Sequence, residues 1–139
     1  MAKLLEDAYE ELQQLLSTIT GLRSAPDYPP DKPGTFPFLV VFPASGTFAP
    51  VTFDGPEGSH TVIIQIHVAR KDLARDLKDA IPYVEKIAKK LLYQDHSNLN
   101  STVDDIGELR YTFGDLEWGG VPTLGYSCEL DIMMMRDDL

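Results

Sequence analysis

The stretch "HTVIIQIHVARKDLARD", residues 60–76, decides the fold because its periodicity changes partway along. Up to position 69 the residues alternate with a period of two, which is typical of a β-strand. One side of this strand is apolar and consists of Val62, Ile64, Ile66 and Val68. Asp72 then suits a helix N-cap, and an apolar stripe with helical spacing begins at Leu73. We therefore expect a strand with one deeply buried face that passes directly into a helix.

The helix that follows is predicted over residues 72–92, and Pro82 lies inside it. An interior proline removes a backbone hydrogen bond and clashes with the preceding turn. We therefore expect a kink or a restart between Ala80 and Pro82. The expected apolar stripe is Leu73, Leu77, Ala80, Ile81, Val84, Ile87, Ala88 and Leu91.

The N-terminal part of the chain predicts a second amphipathic helix, over residues 1–21. Its stripe is Leu4, Leu5, Ala8, Leu12, Leu15, Leu16 and Ile19. Acidic residues interrupt its apolar stretch, so a signal peptide is not indicated. Residues 22–34 are rich in proline and predict a stiff surface connector.

Five strands are predicted in all. Three lie within residues 35–69, namely 35–42, 47–53 and 60–69, with "PASG" as a hairpin turn and 54–59 as a second turn. Two more lie within 107–135, joined by a turn-rich link, "GDLEWGGVP", that places Trp118 in an exposed loop. The apolar side of the last strand is predicted to hold Leu124, Tyr126, Cys128, Leu130, Ile132 and Met134. The order α-β-β-β-α-β-β favours a single domain, residues 1–139, of the α+β class. We expect two layers, a mainly antiparallel sheet of about five strands packed by two helices.

Charge is distributed unevenly along this acidic chain, whose formal net charge is −10. Residues 70–90 carry a net charge of +3, whereas residues 91–139 carry −8. An acidic surface binds DNA phosphates poorly, so specific nucleic-acid binding is not expected. No apolar run approaches the length of a membrane span. The single cysteine, Cys128, excludes an internal disulfide and favours synthesis in a reducing compartment.

No recognisable catalytic chemistry is found in the sequence. His60 and His67 fall on opposite faces of one strand, so they cannot readily share a metal ion, and no zinc or phosphate-binding motif is present. We expect His67 to be a half-buried strand residue with one hydrogen-bond partner. Cys128 lies on the apolar side of the last strand, where a buried thiol is inert. The sequence therefore predicts no catalytic residue, no metal site and no cofactor.

The candidate contact residues are exposed cations and apolar groups that a partner protein could bind. They are Arg70, Lys71, Arg75, Lys78, Trp118, Met133 and Met135. The four cations either form local pairs with Asp72, Asp76 and Asp79 or form a protein-binding face. Trp118 is either a turn anchor or an interface anchor.

The methionine run closes the last predicted strand. Met134 is expected in the core, whereas Met133 and Met135 fall on the polar face. Methionine adapts readily to a partner surface, so these two either contact a partner or belong to a frayed end.

Three long segments carry a resemblance that covers roughly residues 4–132. They are "SAPDYPPDKPGTFPFLVVFPASGTF", "HTVIIQIHVARKDLARDLKDAIPY" and "YTFGDLEWGGVPTLGYSCELDI". The chain resembles the tail-terminator (tail-completion) proteins of long-tailed bacteriophages. The resemblance implies an α+β protomer that assembles into a ring, typically a hexamer, without a cofactor and without an enzymatic reaction.

The resemblance also implies where this ring works. It caps the tail tube, contacts the tail-tube protein, and joins the tube to the head connector and other neck proteins. Its location is the virion, at the head–tail junction, after assembly in the host cytoplasm. An acidic lumen would let DNA pass without binding it, and no membrane is involved. Two alternatives remain at this point: another neck component, such as a head-completion or head–tail joining protein, and a small acidic ligand-binding domain or enzyme.

Overall fold

The computed structural model describes residues 5–26, 28–48, 57–92 and 105–135. Its elements are α1 (Leu5–Ser17), β1 (Phe38–Phe48), β2 (Glu57–Ala69), α2 (Leu73–Ala80), α3 (Pro82–Leu92), β3 (Asp105–Trp118) and β4 (Val121–Met135). The strands pair in the order β1-β2-β4-β3, and every neighbouring pair is antiparallel. The helices cover one face of this sheet, so the predicted two-layer α+β fold is confirmed.

The described sheet has four strands, and the hairpin turn predicted at "PASG" is wrong. The first predicted strand continues through this tetrapeptide to Phe48, with a β-bulge between Pro43 and Ser45. β1 is an edge strand of the described sheet, a position where a proline is tolerated because its missing N–H can face away from the partner strand. Residues 57–59, predicted as a turn, already belong to β2. The rest of the predicted strand 47–53, residues 49–53, lies outside the described residues.

The sheet face beneath the helices, here called the helix face, contains the main core. The predicted alternation of β4 is confirmed, because its six apolar residues on this side are buried. They are Leu124, Tyr126, Cys128, Leu130, Ile132 and Met134. Ala8, Leu12 and Leu16 of α1 and Ile87 and Leu91 of α3 complete the same core. The apolar stripe of α1 is therefore confirmed over its described residues.

The predicted interruption of the second helix is also confirmed. α2 ends at Ala80, and α3 begins at Pro82, a first helical position where the missing N–H of proline is harmless. The restart changes which side chains point inwards. Tyr83 is buried, whereas Ile81 is 56% exposed and Leu73 is 49% exposed. Both residues were predicted in the stripe, and that part of the prediction is wrong: Leu73 is the first residue of α2, and Ile81 lies at the break between α2 and α3.

The opposite sheet face, here called the open face, has no helix against it in the described structure. One end is covered by the proline-rich segment: the indole Nε1 of Trp118 donates to the carbonyl oxygen of Pro30 at 2.8 Å. The Trp118 ring also packs near Phe38, Phe42 and His67. The segment predicted as a surface connector therefore closes a small aromatic cluster.

A two-residue turn joins β3 to β4 and replaces the longer link predicted over "GDLEWGGVP". Gly119 and Gly120 both have positive φ, at 58° and 82°. Two such residues suit the type I′ turn, whose twist matches that of the flanking strands. Trp118 is consequently the last residue of a strand, and the predicted loop position is wrong.

Candidate assembly surfaces

The cations predicted as contact residues lie on or just before α2, and they do not all behave alike. Arg70 reaches Asp115 on β3, with its Nε 3.0 Å from Oδ1. This pair joins the basic segment to the acidic C-terminal third within one protomer. Lys71, Arg75 and Lys78 are exposed and form no ion pair with any described residue. These three residues are called the basic face of α2 below.

Two acidic residues that lie between these cations in the sequence, Asp72 and Asp76, are found at the start of α2. Asp72 occupies the N-cap position, as predicted, but its side chain forms no capping hydrogen bond. Asp76 is buried instead, and its Oδ2 accepts the backbone N–H groups of Lys71 at 2.6 Å and Asp72 at 2.9 Å. The carboxylate of Asp76 thus holds the start of α2 to the end of β2. The local pairs expected with the basic side chains are not formed among the described residues.

A cleft of about 340 Å³ lies beside the basic face of α2. Arg23, Lys71 and Arg75 line it together with apolar atoms of Phe36 and Pro37. Its other charged residues are Asp72, Asp76 and Asp79. Because cations and anions are balanced around the cleft, it is not a selective site for a small anion.

Aromatic side chains form an exposed patch on the helix face of β3, which the sequence did not single out. Tyr111 is 57% exposed and Phe113 is 37% exposed. Both rings pack edge-on against Tyr126 of β4, with centroids 5.5 Å and 4.9 Å away. The Tyr126 hydroxyl donates to the carbonyl oxygen of the exposed Ile81 at 3.2 Å. The described helices therefore cover β4 but not these two side chains of the neighbouring edge strand.

Polar and charged side chains cross the middle of the open face. The guanidinium of Arg110 donates to both carboxylate oxygens of Asp131, at 2.9 Å and 3.2 Å, and to Glu129 at 3.2 Å. The Thr61 hydroxyl donates to Asp131 at 2.9 Å. Hydrogen bonding from Arg110 lowers the pKa of Asp131, and the same bonds raise the pKa of Arg110. The polar face predicted for β4 is thus wet and internally paired.

His67 is more deeply buried than predicted, with none of its surface exposed. Its Nδ1 lies 2.6 Å from the Thr123 hydroxyl, and its Nε2 lies 2.9 Å from Oε1 of Gln65. Since an amide oxygen only accepts, Nε2 carries the proton and the threonine hydroxyl donates to Nδ1. Burial lowers the pKa of His67 to about 4. The expectation of one partner is wrong, because Trp118 and the proline-rich segment seal this end of the face.

The remaining candidate residues lie on the two faces of the sheet and differ in exposure. Met133 is 52% exposed on the open face and Met134 is buried in the core, both as predicted. Met135 ends β4, and its side chain lies outside the described part of the structure. Cys128 is buried, and burial raises the pKa of its thiol to about 12. Trp118 is half-buried and serves as an intramolecular anchor, the first of its two predicted roles.

No group of three or more His, Cys, Asp or Glu side chains within residues 5–26, 28–48, 57–92 and 105–135 is placed to hold a metal ion. None of the described helices is long and apolar enough to cross a membrane. In the comparisons with known proteins, no protein-family model and no curated protein sequence matches the chain.

Proposed function

We propose that this protein is a non-enzymatic structural protein of a virion, a tail terminator that forms a ring. The observation that carries the proposal is that one protomer presents two exposed surfaces of different chemistry on separate elements. These are the basic face of α2 and the aromatic patch of Tyr111 and Phe113 on β3. A ring is built from head-to-tail contacts, in which one patch meets a different patch on the neighbour.

The role within the virion rests on the resemblance of the sequence. In that role the ring caps the tail tube, contacts the tail-tube protein and joins the tube to the head connector. The acidic balance of the chain agrees with a conduit, because a surface of net charge −10 repels DNA instead of retaining it. The described structure adds an open face whose charged groups pair with one another.

Light scattering and negative-stain electron microscopy of the purified protein test the ring. At micromolar concentration and near-physiological salt we expect closed rings, with six protomers as the resemblance implies. Antibody labelling of the intact virus should then place the protein at the head-proximal end of the tail. A strict monomer in solution, together with no ring at the tail end, would refute the proposal. Labelling confined to the connector would favour a different neck component.

Charge reversal on α2 tests whether its basic face takes part in assembly. We expect Arg75→Glu combined with Lys78→Glu to weaken association by about 2–5 kcal/mol, the usual cost of leaving a desolvated interface charge without its partner. An exposed local pair contributes only about 0–1 kcal/mol. Arg70 is left unchanged because it already binds Asp115 within the protomer. Association is measured by sedimentation, and circular dichroism monitors folding.

Lys89→Glu is the matched control for that experiment. Lys89 is exposed on α3, away from the basic face of α2. Lys89→Glu replaces a positive charge by a negative one in the same helical layer, half the charge change of the double variant, so it reports the general effect of added negative charge. Equal effects of the control and of the Arg75/Lys78 variant would exclude a specific role for α2.

A further inference from the structure

The two edges of the sheet differ in how they are occupied. Along the first half of β1, residues 23–24 run beside the strand: the N–H of Leu39 donates to the carbonyl oxygen of Ser24, and Ser24 forms a parallel bridge to Phe38. The second half, residues 43–48, is exposed and carries no charge. In the described structure no other segment pairs with residues 43–47 on the side away from β2.

β3 forms the opposite edge, and no described segment pairs with its outer side. From Leu109 to Trp118 its pairing with β4 is regular, without a bulge. Natural edge strands are commonly protected by charged side chains. Arg110 and Asp115 serve that purpose here, but residues 111–114 between them are uncharged. Each edge therefore has one accessible, uncharged stretch.

Extending the ring proposed above, on which this inference rests, we propose that copies join through these two stretches. Residues 45–48 of β1 in one copy add to residues 111–114 of β3 in the next, with Thr47 opposite Thr112. The new pair is antiparallel, because β1 and β3 run in opposite directions within one sheet. The contact joins two different edges, so it repeats head-to-tail, as the contacts of a ring do.

In this register, facing side chains lie on the same side of the joined sheet. Tyr111 meets Phe48 of the second copy on the helix face, where Phe48 already packs against His60. Phe113 lies opposite Gly46, where its ring meets the His60 imidazole that covers this glycine. Thr112 and Thr47 face each other on the open face. Aromatic pairs and threonine pairs are among the cross-strand contacts that stabilise antiparallel sheets.

The positions of the two stretches also provide the stagger that closure requires. Phe113 pairs with Tyr126, which in turn pairs with Ile66 of β2. Gly46 pairs with His60, which lies six residues before Ile66 on the same strand. Six residues along a strand correspond to a shift of about 20 Å, and four strands span about 19 Å across the sheet. A closed sheet with this shift has strands tilted by about 45° from the barrel axis. That value is close to the strand tilt of closed β-barrels. The joined sheets thus curve into one barrel, with the bulkier helical layer outside and the open face lining the channel.

The same register brings oppositely charged helices to one end of the contact. α1 packs over the first half of β1 and carries Glu6, Asp7, Glu10 and Glu11 without a basic residue. α2 packs on Val68 and Leu124, at the end of the sheet near Trp118. Since β1 of the second copy continues past Trp118, the acidic α1 approaches the basic face of α2. The basic face thereby gains the acidic partner that it lacks among the described residues of its own protomer.

Disulfide trapping tests the register. Thr47 and Thr112 are both exposed, and facing residues of an antiparallel pair lie within disulfide reach. Under mild oxidation, the Thr47→Cys, Thr112→Cys double variant should form a ladder of covalent oligomers that ends at the ring. The native Cys128 is buried and stays unreactive. The pair Ser45→Cys with Gly114→Cys provides a second test of the same register, since a Cβ at Gly114 meets open space.

A cysteine pair outside the proposed contact and single-cysteine variants serve as controls for the cross-linking. Ser59→Cys with Thr112→Cys should not cross-link, because Ser59 lies on β2, one strand inside the edge. Dimers of Thr112→Cys alone would show that two β3 edges meet about a two-fold axis and would overturn the proposal. Rings in the microscope without cross-links in either pair would also overturn it, while leaving the ring function standing. Absence of both rings and cross-links would refute both. Circular dichroism of the reduced variants confirms folding.

Discussion

The two faces of the sheet are built from the same strands but are closed by different means. On the helix face, successive inward residues such as Ile64 and Leu130 are fully buried beneath α1 and α3. On the open face, the described residues seal the end near His67, through Trp118 and the proline-rich segment. The middle is covered by ion pairs between exposed side chains. The helix face thus supplies most of the apolar burial, whereas the open face combines a buried polar pair, His67 and Thr123, with a wet surface.

Substitutions at two neighbouring residues of β4 should show the largest difference in stability between the two faces. Leu130→Ala removes a fully buried side chain from the helix face, and we expect a loss of about 2–5 kcal/mol in the free energy of unfolding. Glu129→Ala, one residue earlier on the open face, should leave it nearly unchanged because Glu129 is exposed. Urea denaturation of both variants measures the contrast. Similar losses in the two would show that the open face is as tightly packed as the helix face.

The next effect concerns the buried imidazole of the open face. His67 has a pKa of about 4 in the folded protein, below its ordinary value, so the unfolded chain binds a proton first as the pH falls. Its contribution is complete above about pH 6.5, and up to about 3 kcal/mol is lost as the pH falls towards 4. We expect His67→Gln to flatten the pH dependence of the unfolding free energy in that window. Parallel curves for the variant and the natural protein would contradict this.

Trp118 should show a smaller effect, because its ring is only half-buried. Trp118→Ala is expected to cost about 2–3 kcal/mol through lost packing against Phe38 and Phe42. Trp118→Phe retains a ring and loses the hydrogen bond to Pro30, a cost of about 1 kcal/mol. Thermal unfolding followed by circular dichroism measures both variants. If both are neutral, the proline-rich segment does not depend on Trp118 for its position.

The smallest effect concerns the exposed ion pairs of the open face. Arg110→Gln should barely change stability, because Arg110 and Glu129 are both solvent-exposed side chains. It should raise the pKa of Asp131, since hydrogen bonds from Arg110 are the main cause of its lowered value. Thr61→Val should raise it less, because the threonine contributes a weaker bond. Carboxyl chemical shifts followed by NMR during acid titration would test this order.

Local periodicity predicted much of the fold correctly. The alternation from Leu124 to Met134 assigned the six buried apolar residues of β4 to the correct side, and Pro82 marked the helix restart. The errors lie where a distant segment decides the outcome. "PASG" remains a strand because residues 60–62 of β2 continue to pair beside it. His67 is buried because Trp118, far along the chain, covers it.

The candidate surfaces were predicted in part. The exposed cations of α2 and the exposed Met133 are found on the surface as expected, because charge and alternation are local properties. The pairing of Arg70 with Asp115 and the reach of Asp76 back to Lys71 could not be predicted, since each depends on packing geometry. The uncharged interval between Arg110 and Asp115 is visible in the sequence, but it acquires meaning only once β3 is known to be an edge.

Two tyrosines show where the contribution of the sequence ends and that of tertiary structure begins. Tyr111 and Tyr126 each alternate correctly and point to the helix face. The sequence alone determines that much, because successive side chains of a strand point to opposite faces. Yet Tyr126 is 5% exposed and Tyr111 is 57% exposed. Only the strand order decides this difference: β4 lies between two strands beneath the helices, whereas β3 is the edge. Strand order depends on pairings between distant parts of the chain, which no local pattern encodes.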